Sequence, residues 1–135
     1  MIKLWVSSTA SDTDFTVKLI DVYPMSDDYP EGYHLNLSDT ILRARYRNSW
    51  TDPEMMTPGE PAEVSITLWP TSSVFKKGHR IRLDISSSNF PRFDVNPNTG
   101  EPVGRHTHML KADNTIHTGA DHPSRIVLPI IPAVE

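Results

Sequence analysis

Ser86, Ser87 and Ser88 close the alternating stretch RIRLDISSS and are the first place to look for a nucleophile. In an α/β-hydrolase the acylating serine stands on a tight strand-to-helix elbow, G-x-S-x-G, because side chains at the flanking positions would block the turn. None of the 13 serines has that context. No catalytic residue is assigned.

Histidines are the next candidates. His106 and His108 are two apart and would share a face on a strand; His117, Asp121 and His122 follow. Metal sites in β-sandwiches can combine an H-x-H pair with a later histidine and a carboxylate. The pair spacing recurs by chance, and no further His or Glu stands at the offset a strand would require. These are read as loop or surface histidines, with no metal and no cofactor site. Absence of cysteine excludes disulfides, thiol catalysis and cysteine-bound metal.

Charged and aromatic residues fit binding better than catalysis. Arg43, Arg45 and Arg47 alternate along one predicted strand. They could receive a carboxylate, but Asp12, Asp14 and Asp39 are available as internal partners. A solvent-exposed pair of this kind stabilises by only about 0–1 kcal/mol. Trp5, Trp50 and Trp69 could build a sugar-stacking platform or meet a neighbouring domain. Beyond RIRLDIS the chain carries Phe90 and Phe93 on either side of Pro91 and Arg92. A residue before proline is pushed to extended geometry, so this segment is expected to continue outward. Burying one Phe side chain is worth about 1.5–3 kcal/mol. The loop must therefore fold back on its own sandwich or press against something else.

The elements that would position these residues are strands. Ile2, Leu4 and Val6 alternate with Lys3 and Trp5; Phe15, Val17 and Leu19 share one face of FTVKLIDVY; Val64, Ile66 and Leu68 alternate in EVSITLW; so do Ile81, Leu83 and Ile85 in RIRLDIS. Further strands are expected at LNLSDTILRARYR, GRHTHML, NTIHTG and RIVLPII. Asp12 and Asp14 fall in the turn before the second strand. Residues 23–34 and 48–62 read as loops, from their prolines, glycines and acids. No segment holds a helical apolar period for three turns; a single turn is expected near Ser72 to Phe75. Seven or eight short strands predict an all-β sandwich or jelly roll.

Composition sets outer bounds. The chain has 135 residues, 37% apolar and 22% charged, with a formal charge of −4. That suits one globular domain, 1–135. No basic stripe fits a phosphate backbone, so no nucleic-acid partner is expected. No apolar run suits a membrane span or a signal peptide, so no membrane partner is expected, and the absence of cysteine leans the expected setting to the cytoplasm.

Four stretches resemble one known family: LWVSSTASDTDFTVKLIDVYP, NLSDTILRARYR, VSITLWPTSSVFKKGHRIRLDISSSNFPRFDVNPNTG and HPSRIVLPIIP. In this order, over almost the whole chain, they look like the C-terminal domain of the X-Pro dipeptidyl-peptidase and cocaine-esterase (CocE/NonD) serine hydrolases. The resemblance implies a galactose-binding-like jelly-roll β-sandwich that packs on an α/β-hydrolase domain. That partner, in the same or a separate chain, would carry the Ser-Asp-His triad and act on acyl esters and amides: X-Pro peptides, α-amino-acid esters, glutaryl-type amides or cocaine. The jelly roll would help to wall the substrate site without supplying the nucleophile. Phe90, Arg92 and Phe93 are the candidate domain-interface residues.

Two departures from the family pattern matter. Met1 directly precedes the LWVSS strand, whereas the family's domain begins one or two strands earlier. The implied sandwich lacks those opening strands, and the chain is then a fragment, a truncated reading frame, or a product working beside a separate catalytic chain. The family also often has Asp-Gly where Asp39-Thr40 stands here. A bare edge and docking patch would favour self-association. The alternative from another class is a stand-alone ligand-binding sandwich for carbohydrate or metal.

Overall fold

The computed structural model describes residues 1–102 and 104–132. Seven strands follow in chain order: β1 (Ile2–Ser8), β2 (Asp14–Tyr23), β3 (Tyr33–Arg43), β4 (Ala62–Ile66), β5 (Arg80–Ser86), β6 (Asn114–His117) and β7 (Arg125–Ile126). The one helical element among the described residues is a 3-10 turn, Ala44–Tyr46. All strand pairs are antiparallel, in two sheets. β1 is central to the first, with β4 along one edge and β6 and β7 sharing the other. The second has the order β3-β2-β5. The chain is an all-β sandwich, as expected.

The alternating residues explain which faces meet. Ile2, Leu4 and Val6 of β1, with Val64 and Ile66 of β4, close on Phe15 and Val17 of β2 and Leu42 of β3. Ala44 and Met56 complete this buried cluster, and Leu68, Leu83, Ile85 and Ile126 pack at its margin. β2 departs from simple alternation: Thr16, Ile20 and Val22 on its other face are buried too. As the middle strand of a three-stranded sheet it is flanked by a neighbour along both edges.

Four local expectations change. The third strand stops at Arg43, because the Arg45 backbone N–H donates to the Asp12 carboxylate (3.1 Å) and the Arg47 N–H to Ala44 O, which winds the chain into the 3-10 turn. That strand also begins at Tyr33, inside the stretch read as a loop. GRHTHML is not a strand. The Thr107 N–H donates to Glu101 and the Leu110 N–H to Pro97 O, so the segment satisfies its backbone against its own loop. No turn forms at 72–75, where the backbone stays irregular. Ile81 is 50% exposed, although Leu83 and Ile85 on the same face reach the core. Its cross-strand partner is Asp21, which pairs with His79, whereas Leu83 and Ile85 stand opposite Leu19 and Val17.

Candidate functional site

A groove of about 540 Å³ opens beside the end of β3. Ile41 and Arg43 come from β3, Tyr46 from the 3-10 turn, Trp50 from the following loop, and Arg92, Phe93 and Asp94 from the loop after β5. Two of the three residues expected at a domain interface, Arg92 and Phe93, therefore line a surface depression. Phe90 stands at 70% exposure and Trp50 at 83%. The expectation that Phe90-Pro91 continues outward is not met. The Arg92 and Phe93 N–H groups both donate to Asn89 O, which closes a turn.

A buried polar network holds the floor of this face. Arg45 Nε donates to Asp12 Oδ2 at 2.9 Å, and Arg45 Nη2 reaches Glu101 O at 3.0 Å. Arg43 Nε and Nη2 donate to the two Asp14 oxygens at 3.0 and 3.2 Å. Asn96 Nδ2 donates to Asp12 Oδ2 and Asp14 Oδ1, each at 2.8 Å. The loop carrying Asp94 and Asn96 is thus tied to the β1–β2 turn and to the start of β2. Burial pushes the Asp14 carboxyl above its ordinary value, against the pull of the Arg43 and Asn96 hydrogen bonds. Burial also opposes the charge on Arg43, yet the Asp14 hydrogen bond and charge hold it above its ordinary value.

Arg92 ties the second wall down. Its Nε lies 2.8 Å from Asp39 Oδ1 on β3, and its guanidinium carbon sits 5.6 Å from the Phe93 ring centroid. That distance is within cation–π range. Phe93 is half-buried beneath it. Internal pairing of the arginine stripe is borne out, with Arg43 on Asp14 and Arg45 on Asp12, but not as one exposed strand face. Arg45 and Asp12 are buried, and Arg47 turns instead to the Glu54 carboxylate at 2.6 Å.

Other candidate residues stay apart. Ser87 Oγ accepts from Asn114 Nδ2, Ser86 O accepts from the Thr16 hydroxyl, and among the described residues no histidine hydrogen-bonds to the three serines. His106 and His108 lie on an exposed irregular segment. Among the described residues, no three His, Cys, Asp or Glu side chains gather as a metal site. Of the tryptophans only Trp50 lines the groove. Trp5 packs edge-on to His122, while Trp69 O accepts from the Ser38 hydroxyl.

Two histidine contacts had no signal in the sequence. His117 Nε2 lies 2.9 Å from Ser7 Oγ, but Ser7 sits inside β1 rather than on an elbow. Among the described residues no carboxylate pairs with His117. His79 Nδ1 is 2.9 Å from Asp21 Oδ1, both side chains nearly buried. These partners are separated by 110 and 58 residues, and only strand pairing brings them together.

The architecture has counterparts. Residues 1–127 match the family model described as the X-Pro dipeptidyl-peptidase C-terminal non-catalytic domain. The chain is 49% identical over 131 residues to a cocaine esterase of Rhodococcus sp. (strain MB1 Bresler), covering 96% of this chain and 22% of that protein. A selenomethionine-labelled α-amino acid ester hydrolase superposes with a TM-score of 0.81 at 34% identity, covering 92% of this chain and 22% of that one. An aminopeptidase from a marine sediment Thaumarchaeota archaeon gives 0.84 at 34% identity, covering 91% and 21%. The chain therefore spans about a fifth of the length of these relatives. It belongs to the X-Pro dipeptidyl-peptidase C-terminal non-catalytic domain family.

Proposed function

We propose that residues 1–135 act as one non-catalytic domain that packs on an α/β-hydrolase catalytic domain, in the same or a separate chain. There it helps to shape the substrate site of an acyl esterase or X-Pro dipeptidyl-peptidase-like hydrolase. The observation that carries this reading is the groove lined by exposed Trp50 together with Arg92 and Phe93, whose loop also carries the exposed Phe90. Large apolar side chains grouped at a rigid surface are characteristic of an interaction site. Arg92 adds a guanidinium whose side chain is 57% exposed. The absence of cysteine accords with a cytoplasmic setting. Without its partner, the same face favours self-association.

The test is a graft. This chain replaces the matched region of the Rhodococcus cocaine esterase, and esterase activity and melting of the chimera are measured. An active chimera that loses activity or stability with Phe90→Ser, Phe93→Ser or Arg92→Ala is the expected result. A folded, active chimera indifferent to all three substitutions would remove this face from the interface.

A further inference from the structure

We infer that the groove beside β3 receives an uncharged apolar side chain of the α/β-hydrolase domain, and that Trp50 anchors this contact more strongly than Phe90 or Phe93. This rests on the domain packing proposed above and names what that packing takes hold of. The charges in the groove select a neutral guest. Arg43 is already held by both Asp14 oxygens, and Arg92 Nε lies 2.8 Å from Asp39 Oδ1. A guest carboxylate would compete with these partners, and a guest cation would meet two guanidiniums against the Asp94 carboxylate. Ile41, Tyr46, Trp50 and Phe93 supply apolar and aromatic surface between the charges. The chain spans about a fifth of the length of its relatives, which leaves most of such a protein to cover this face.

Trp50 is set apart from the two phenylalanines by how it is held. It stands at 83% exposure on a loop closed at its base and at its tip. At the base, the Glu54 carboxylate accepts from Arg47 Nη2 at 2.6 Å and from Asn48 Nδ2 at 2.7 Å, and the Glu54 N–H donates to Arg45 O at 2.7 Å. Arg47 Nη1 also donates to Ala44 O and Glu54 O, and the Arg47 side chain is only 8% exposed. At the tip, Ser49 Oγ accepts from the Thr51 and Asp52 N–H groups at 3.3 and 3.1 Å, and the Thr51 hydroxyl donates to Asp52 Oδ2 at 2.9 Å. The loop is therefore folded before any partner arrives. A side chain presented this way has less of its docking energy offset by ordering. Tryptophan is also enriched among the few residues that dominate docking, seated in desolvated pockets with weaker contacts around them. Phe93 is half-buried already, and Phe90 is not among the residues that line the groove.

Hydroxyl-radical footprinting reads Trp50 without altering it. In the dilute chain alone Trp50 should oxidise readily. In the chimera with the Rhodococcus cocaine esterase, with no substrate present, it should be protected roughly tenfold or more, as a desolvated anchor is. Trp50→Ala should shorten the half-life of chimera activity on heating roughly tenfold or more, and by more than Phe90→Ser does, while the melting point of the chain alone stays near wild type. Glu54→Ala should free the loop, read in the chain alone as lower Trp50 fluorescence anisotropy once Trp5 and Trp69 are replaced by phenylalanine. Trp50 equally reactive in the chain and in an active chimera would overturn the inference. So would protection that appears only with an ester substrate, or only as the chain alone is concentrated, since the groove would then hold substrate or a second copy. If Trp50 stays reactive while Phe90→Ser, Phe93→Ser or Arg92→Ala still lowers chimera activity, the anchor alone fails. Indifference to those three as well fails the domain packing with it.

Discussion

Arg45 and Asp12 meet at 2.7 Å with side-chain exposures of 5% and 0%. An ion pair removed from water this completely has its hydration replaced by fixed partners, here the Asn96 amide and Glu101 O as well as each other. Its two residues join the β1–β2 turn to the 3-10 turn, below the groove. The energetic consequence differs from that of a surface pair.

Arg45→Met should therefore destabilise the chain by about 3–5 kcal/mol, because it leaves the Asp12 carboxylate buried without its charge partner. Adding Asp12→Asn should recover part of that loss, since the orphaned charge is gone. Urea unfolding of both single variants and the double variant gives the coupling. A loss for Arg45→Met of less than about 1 kcal/mol, the range of exposed pairs, would contradict it.

Asp14 supplies a pH dependence of defined sign. Its folded carboxyl binds a proton more readily than the ordinary value of 3.8, chiefly because it is buried. A group raised on folding contributes stability that is fully present below its unfolded value and is lost as pH rises through its folded value. Wild type should accordingly lose stability relative to Asp14→Asn as pH rises from about 3.8 through that raised value. Unfolding free energies of the two proteins across this window decide the matter. A difference independent of pH, or one of opposite slope, would show that burial does not dominate at this site.

Phe90 and Phe93 report whether the docking face is bare. Replacing both with Ser should improve solubility while the melting point moves little, because Phe90 is 70% exposed and Phe93 only half-buried. Were the rings part of the core, each loss would cost about 3–5 kcal/mol. Thermal melts and the soluble fraction of the double variant separate the two cases.

The chain alone should not hydrolyse p-nitrophenyl esters or X-Pro peptides. Ser86, Ser87 and Ser88 have no elbow and, among the described residues, no hydrogen bond to a histidine, and the Ser7–His117 contact lies within a strand pair. Turnover by purified chain that is abolished by Ser86→Ala, Ser87→Ala, Ser88→Ala or Ser7→Ala would overturn this reading.

The sequence by itself determined the strands of the core and the faces they bury. Ile2, Leu4 and Val6, or Phe15, Val17 and Leu19, alternate because successive side chains on a strand point to opposite faces, a local rule that needs no knowledge of the neighbour. The same locality makes the missing nucleophile elbow readable, and the long ordered stretches carry the family likeness. Tertiary structure alone decided what each strand end meets. Ile81 follows the same alternation as Leu83 yet stays half-exposed, because its cross-strand partner is the polar Asp21 where Leu83 has Leu19. Arg45 reads as one of three alternating arginines, but Asp12 takes its backbone N–H and its guanidinium together and bends the chain out of the strand. Arg92 and Phe93 were legible as residues needing a partner. Trp50 and Tyr46 were not legible as their neighbours, because that groove forms where segments roughly 40 residues apart are held together by Asn96 and Asp39.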